Sequence, residues 1–145
     1  MDIDILQLYN IEDDISQFFN NMLGNDKIKI NKVFDNFEIL YKIDLYDNHF
    51  DVKIKKQLYC IELSQNSSII YNFYNDKKLK SKIIKYICLE LLYKTIKNLN
   101  YNENIFNEQF NSDTIKNLEI IKTKYYYDLE FKKYIENIIS KYNKS

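Results

Sequence analysis

The spacing of apolar residues changes twice along this chain, and each change limits the possible fold. Apolar side chains recur at helical spacing over residues 11–22 and at every second position over much of residues 37–63. Helical spacing then returns from residue 76 onward. An all-helical fold cannot accommodate the middle segment, so the sequence predicts an α+β domain that spans residues 1–145.

The segment NIEDDISQFFNNMLG predicts an N-terminal helix. Asn10 is the candidate N-cap residue, and Asp13 follows three positions later. Gly24, the only glycine of the chain, stands where a left-handed C-cap residue is favoured, so the helix should end there. The apolar face of this helix consists of Ile11, Ile15, Phe18, Phe19 and Met22.

The middle of the chain predicts an antiparallel meander of three or four strands. Odd positions from Phe37 to Leu45 are apolar, and the turn-forming residues YDNH follow at 46–49. The remaining candidate strands are residues 50–54, 59–63 and 69–73, with a shorter one at 27–33. Three helices, at about 76–100, 112–124 and 127–142, should then cover one face of the sheet.

Composition narrows the functional classes. The chain has 21 lysines, 21 acidic residues and no arginine, and its net charge of zero argues against nonspecific coating of nucleic acid. The bias towards Lys, Asn, Ile and Tyr is typical of an AT-rich genome. An acidic N-terminus, no apolar stretch of spanning length and only two cysteines predict an intracellular protein without a transmembrane segment.

Several cofactor chemistries are excluded by residue counts. One glycine cannot build a phosphate-cradling loop or a dinucleotide fingerprint, because each requires several glycines. One histidine and two cysteines do not supply a zinc site of familiar spacing. We therefore expect no cofactor and no metal, and a binding function in preference to catalysis.

Lysines are concentrated in the stretch YNDKKLKSKIIKY, at the predicted start of a helix. Cations are unfavourable there because the helix dipole and the unpaired N–H groups already make the potential positive. A bound anion would remove the conflict, so we predict a site for anionic headgroups or phosphates. The alternative is an ordinary solvated helix face. The candidate ligand-binding residues are Lys77, Lys78, Lys80, Lys82 and Lys85, joined by Lys53, Lys55 and Lys56 if the helix packs beside them.

A second pattern, DLYDNHFDVK, resembles the PD-(D/E)xK nuclease core. In that resemblance Asp44 and Asp51 would hold Mg²⁺, and Lys53 would steady the attacking water or the phosphate. The segment lacks the proline of the family, and only six residues separate its two acids. A Mg²⁺-dependent nuclease is therefore an alternative hypothesis.

The order of elements, the segment YKIDLYDN and the lysine-rich second half resemble small poxviral virion-assembly proteins. That resemblance implies phosphoinositide binding through a basic surface, in a viral assembly or host-interaction factor on membranes in the host cytoplasm. A further alternative is a protein–protein interaction module without lipid binding. Its contact surface would include the run Tyr125, Tyr126 and Tyr127.

Overall fold

The structure of the protein is a computed structural model. It describes residues 10–34, 38–55, 60–63, 68–72, 80–101, 103–107 and 112–143. Lys56, Lys77 and Lys78 of the predicted site lie outside these ranges. The described elements are α1 (Glu12–Leu23), β1 (Ile28–Phe34), β2 (Glu38–Leu45), β3 (Asn48–Lys55), β4 (Cys60–Leu63), β5 (Ser68–Asn72), α2 (Lys80–Asn98), α3 (Ser112–Lys124) and α4 (Leu129–Asn143).

The predicted α+β architecture is confirmed: an N-terminal helix, an antiparallel meander and three C-terminal helices. The sheet has the strand order β1-β2-β3-β4-β5, with five strands where three or four were expected. All five candidate segments form strands, and β1, which was expected to be shorter, pairs with β2 along its whole length, from Ile28 opposite Leu45 to Phe34 opposite Ile39. Every neighbouring pair of strands is antiparallel.

Alternation along the strands divides the sheet into two different faces. Tyr41 and Ile43 of β2 lie opposite Val52 and Phe50 of β3, and all four side chains are buried. The intervening residues point to the other side, which is called the outer face below. The outer face carries charged side chains on β2 and β3, among them Lys42. The described helices therefore cover the apolar face.

A two-residue turn fixes the pairing of β2 with β3. Tyr46 and Asp47 both have positive φ angles, of 49° and 67°, which is the backbone geometry of a type I′ hairpin turn. The side-chain amide of Asn48 donates hydrogen bonds through Nδ2 to the backbone carbonyls of Leu45 and Tyr46, at 3.2 and 3.1 Å. The turn predicted at 46–49 is thus present, and its two loop residues are 46 and 47.

The two ends of α1 differ in how well the sequence predicted them. The N-cap residue is Ile11, without a side-chain cap, so the assignment of that role to Asn10 was wrong. The Asn10 side chain instead accepts a hydrogen bond from Lys32 Nζ at 2.7 Å. Gly24 is the C-cap residue as predicted, and its N–H donates to the Asn20 carbonyl at 3.1 Å.

The helices and the sheet share one hydrophobic core. The helix α1 packs against β1 and α2, α2 packs against β5, and α3 pairs with α4. The helix α2 is buried on two sides, which is why its apolar stripe is wider than that of the other helices. Within the described residues, no helix combines the length and the apolar character needed to cross a bilayer.

Gly24 gives a direct test of this arrangement. Its φ of 92° and ψ of 169° lie in a region that essentially only glycine adopts, although a Cβ atom would meet no other atom within 4 Å. Gly24→Ala should therefore lower the free energy of unfolding by about 1–3 kcal/mol through backbone strain alone. Chemical denaturation measures the loss.

The matched control is Asn25→Ala, because Asn25 is the next residue, is exposed and does not have a positive φ. Its effect should stay within about 0.5 kcal/mol. Equal stability of the two variants would contradict the conformation assigned to Gly24.

Candidate functional site

A groove of about 590 Å³ lies between α2 and α3. It is called the lysine groove here. Four lysines surround it, two from each helix, and three apolar side chains form its floor. The lysines are Lys82, Lys85, Lys116 and Lys124, and the floor consists of Tyr86, Leu89 and Ile120. The site thus combines positive charge at the rim with an apolar interior.

The rim lysines carry charge that no described acidic side chain neutralises by direct pairing. Within the described part of the chain, none of the four ammonium groups forms a salt bridge. Glu119 is the acidic residue that lines the groove, but its carboxylate lies 3.1 Å from the ammonium of Lys122. The groove is therefore a region of positive potential.

Lys124 is half-buried against two aromatic rings. Its Nζ lies 4.7 Å from the centre of the Tyr86 ring and 5.6 Å from that of Tyr125. Burial lowers the pKa of Lys124, and the nearby carboxylate of Glu90 opposes that shift. Glu90 itself accepts a hydrogen bond from the Tyr125 hydroxyl. A ligand anion near Lys124 would stabilise its charged form.

The predicted helix-start site is brought together only in part. Lys82 and Lys85 lie at the groove together, whereas Lys80 does not line it. The ammonium of Lys80 lies 3.9 Å from the carboxylate of Asp14 on α1. Lys80 therefore contributes less to the positive potential than the sequence suggested.

Among the described residues, Lys53 and Lys55 do not lie on the same face of the sheet as the helix that carries Lys80, Lys82 and Lys85. Lys53 and Lys55 are odd-numbered residues of β3, so they point to the outer face, away from the helices that cover the apolar face. Lys53 Nζ lies 4.0 Å from Glu38, and Lys55 Nζ lies 3.1 Å from Glu62. The expectation that these lysines join the helix lysines in one site is corrected on this ground.

The residues of the nuclease resemblance also lie on the outer face. Asp44 is bonded to His49 on the neighbouring strand, Asp51 lies opposite Lys42, and Lys53 lies opposite Leu40. Among the described residues, no group of three or more His, Cys, Asp or Glu side chains is arranged to hold a metal ion. The geometry of the described chain therefore adds nothing in favour of the Mg²⁺-dependent nuclease hypothesis.

Two lysines of the groove were not predicted from the sequence. Lys116 and Lys124 are eight positions apart on α3, so they share one face of that helix with Ile120 between them. This spacing was a usable signal, but it does not reveal which helix lies alongside. The packing of α3 beside the lysine-rich start of α2 is a feature of the tertiary structure and cannot be read from local sequence.

A second cavity, of about 600 Å³, opens at the end of the sheet near the β2–β3 turn. Acidic residues, lysines and the single histidine line it together, so its charge is mixed. His49 is bonded to Asp44, and Lys27 Nζ lies 5.5 Å from the centre of the Tyr46 ring. The lysine groove has the more uniform charge and the more apolar floor, and it is the stronger candidate site.

Aromatic and acidic side chains support the end of α3 next to the groove. Tyr93 and Tyr125 stack in parallel with ring centres 3.9 Å apart. Asp128 accepts hydrogen bonds from the hydroxyls of Tyr93 and Tyr101, at 2.6 and 3.0 Å, and from the N–H of Phe131 at 3.1 Å. Tyr125 is buried, so it was wrongly predicted to belong to an exposed tyrosine surface.

Comparison of the chain with protein-family models, with curated proteins and with solved structures found no match in any of the three.

Asp128 should be a major contributor to the stability of this region. Burial alone would raise the pKa of its carboxyl group, but the hydrogen bonds from Tyr93, Phe131 and Tyr101 lower it overall. Asp128→Ala removes the N-terminal cap of α4 and leaves two tyrosine hydroxyls without this acceptor. We expect the free energy of unfolding to fall by about 2–4 kcal/mol at neutral pH.

The pH dependence follows from the lowered pKa. A carboxyl group whose pKa is lowered by folding stabilises the folded state when the pH is above the pKa that the group has in the unfolded chain. For an aspartate that unfolded pKa is about 3.9. The difference between wild type and Asp128→Ala should therefore shrink as the pH falls below about 4. Glu130→Ala is the control, because Glu130 is exposed in the first turn of the same helix. A control loss as large as that of Asp128→Ala would contradict the assigned role.

Proposed function

We propose that the protein binds phosphorylated lipid headgroups at the surface of an anionic membrane through the lysine groove. The observation that carries the proposal is the convergence, around an apolar floor, of four lysines that form no salt bridge with any described residue. Like charges so placed repel one another, and a bound anion turns that repulsion into attraction. Lysine serves well in this role because its ammonium group is a compact charge that pairs readily with phosphate.

The apolar floor favours a lipid over a free phosphate ion. The exposed parts of Tyr86 and Ile120 offer a surface that an inorganic phosphate would leave in contact with water. The glycerol and proximal acyl atoms of a phospholipid would cover it while the headgroup meets the lysines. Lysines near an anionic bilayer contribute about 1 kcal/mol each to binding.

The groove also explains why a protein of zero net charge can bind an anionic surface. The 21 lysines and 21 acidic residues cancel over the whole chain, but their distribution is uneven. Attraction to a membrane depends on the local potential within roughly one Debye length, about 8 Å at physiological salt. A role in assembly or host interaction on membranes of an infected cell would use this same contact.

A paired charge reversal tests the proposal. Lys82→Glu combined with Lys116→Glu changes one exposed lysine on each side of the groove. Co-sedimentation should show that binding to phosphatidylcholine liposomes containing a phosphoinositide falls at least tenfold, or by about 1.4 kcal/mol or more. The expected loss is this large because each reversal both removes an attraction and adds a repulsion.

The matched control is Lys133→Glu with Lys141→Glu, since both lysines are exposed on α4 and neither lines the groove. This control changes the net charge by the same amount. A soluble inositol phosphate serves as competitor and should displace the protein only weakly, because it lacks the apolar part. Equal binding by the groove variant and the control variant would refute the proposed site, and complete displacement by the soluble competitor would refute the lipid assignment.

A further inference from the structure

The turn between α3 and α4 exposes three large side chains with apolar character. Tyr126, Tyr127 and Leu129 are 68%, 65% and 73% exposed, more than any other large hydrophobic residue in the described part of the chain. They lie within four consecutive positions, and the rings of the two tyrosines touch edge to face at 5.8 Å. Residues 125–129, called the tyrosine turn here, therefore present a compact apolar tip to solvent.

Contacts with α2 and hydrogen bonds within the turn fix the position of the tyrosine turn. The Tyr125 ring is stacked on Tyr93, and its hydroxyl donates to Glu90. The N–H of Asp128 donates to the Tyr125 carbonyl at 3.0 Å, and the Asp128 carbonyl accepts from Lys132 N–H at 2.9 Å. Because the backbone is already fixed, insertion of the tip into another phase would cost little conformational entropy.

The tip is continuous with the lysine groove. Lys124, at the end of the groove, has its ammonium 5.6 Å from the Tyr125 ring, and that ring lies 6.3 Å from the ring of Tyr127. An anionic surface that meets the groove therefore also comes close to the exposed tyrosines. Charge and apolar area lie side by side at one end of α3.

We infer that the tyrosine turn inserts into the interfacial region of the anionic bilayer and is the apolar anchor that accompanies the lysine groove. The inference rests on the proposed function and adds a depth and an orientation to it. Stable peripheral binding usually requires two signals, of which electrostatic attraction is one and apolar insertion the other. Tyrosine suits this position because it favours the headgroup level of a bilayer, and Leu129 can reach further into the acyl region.

The positive charge of the groove decides between a bilayer and a protein partner as the occupant. A protein that covered only the exposed tip would leave the neighbouring positive charge of Lys124, and that of the groove beyond it, without a partner anion. An anionic bilayer is extended enough to contact the tip and the groove at once, and it matches both in chemistry. A partner protein is therefore treated as one outcome of the test.

A single tryptophan reports the insertion directly, because the natural chain contains none. Tyr126→Trp places the probe at the tip. Its emission should shift to the blue when liposomes of phosphatidylcholine with phosphatidylinositol phosphate are added, and lipids brominated on the acyl chain should quench it. The control is Val33→Trp, at a residue that is 51% exposed on the outer face of the sheet and should stay in water.

A second measurement separates the apolar contribution from the electrostatic one. Changing Tyr126, Tyr127 and Leu129 together to serine should lower liposome binding about tenfold. Most of the remaining binding should then be lost between about 0.1 M and 1 M salt, where the screening length falls from about 10 to 3 Å. The wild type should retain more of its binding at high salt than this variant does.

The outcomes distinguish the two proposals. Liposome binding by Tyr126→Trp without a blue shift, or full binding by the triple serine variant, overturns the inserted turn and leaves the lysine groove in place. A blue shift that rises with protein concentration without liposomes shows a protein contact and also overturns it. No liposome binding by the wild type overturns both proposals. A shift for the probe at position 126 but not for the probe at position 33, with the tenfold loss, supports the inference.

Discussion

The apolar face of the sheet is the constraint on which the rest of this structure depends. A single sheet whose strands alternate apolar and charged residues must cover one face and can leave the other in water. The helices supply that cover, and α2 is central because it meets the sheet on one side and other helices on another. Its stripe contains Ile83, Ile87 and Leu91, all fully buried. The lysines of α2 can therefore lie only on the part of the helix surface that faces neither the sheet nor the neighbouring helices.

The fold was largely predictable because it depends on local periodicity. Period-two spacing over 38–45 and 48–55 and helical spacing over 80–98 are properties of short segments, and each gave the correct element. The cap at Asn10 failed for a different reason. Its side chain accepts a hydrogen bond from Lys32, which is 22 positions away, and a distant partner of this kind cannot be read from neighbouring residues.

The candidate site was less predictable than the fold for the same reason. Lys82 and Lys85 were identified from their own helix, but their partners Lys116 and Lys124 come from a different one. The error over Lys53 was avoidable in principle, because strand alternation already assigns it to the face opposite Val52. The sequence also predicted that the helices cover one face of the sheet, so the two expectations together exclude Lys53 from a site on the helices. What the sequence could not supply was the position of α3 beside the start of α2.

In the helix α3, some residues serve the packing of the core and others line the proposed binding site. Its buried stripe is narrow and consists of Thr114, Leu118 and Ile121. A narrow stripe leaves most of the circumference to solvent, so the exposed Lys116 is not required for packing, whereas the half-buried Lys124 also contacts two aromatic rings. Changes at Lys116 should alter binding with little effect on stability, whereas changes in the stripe should unfold the helix from its neighbours. Because the packing residues and the exposed lysine lie on different faces of the helix, positive charge can line the groove without weakening the core.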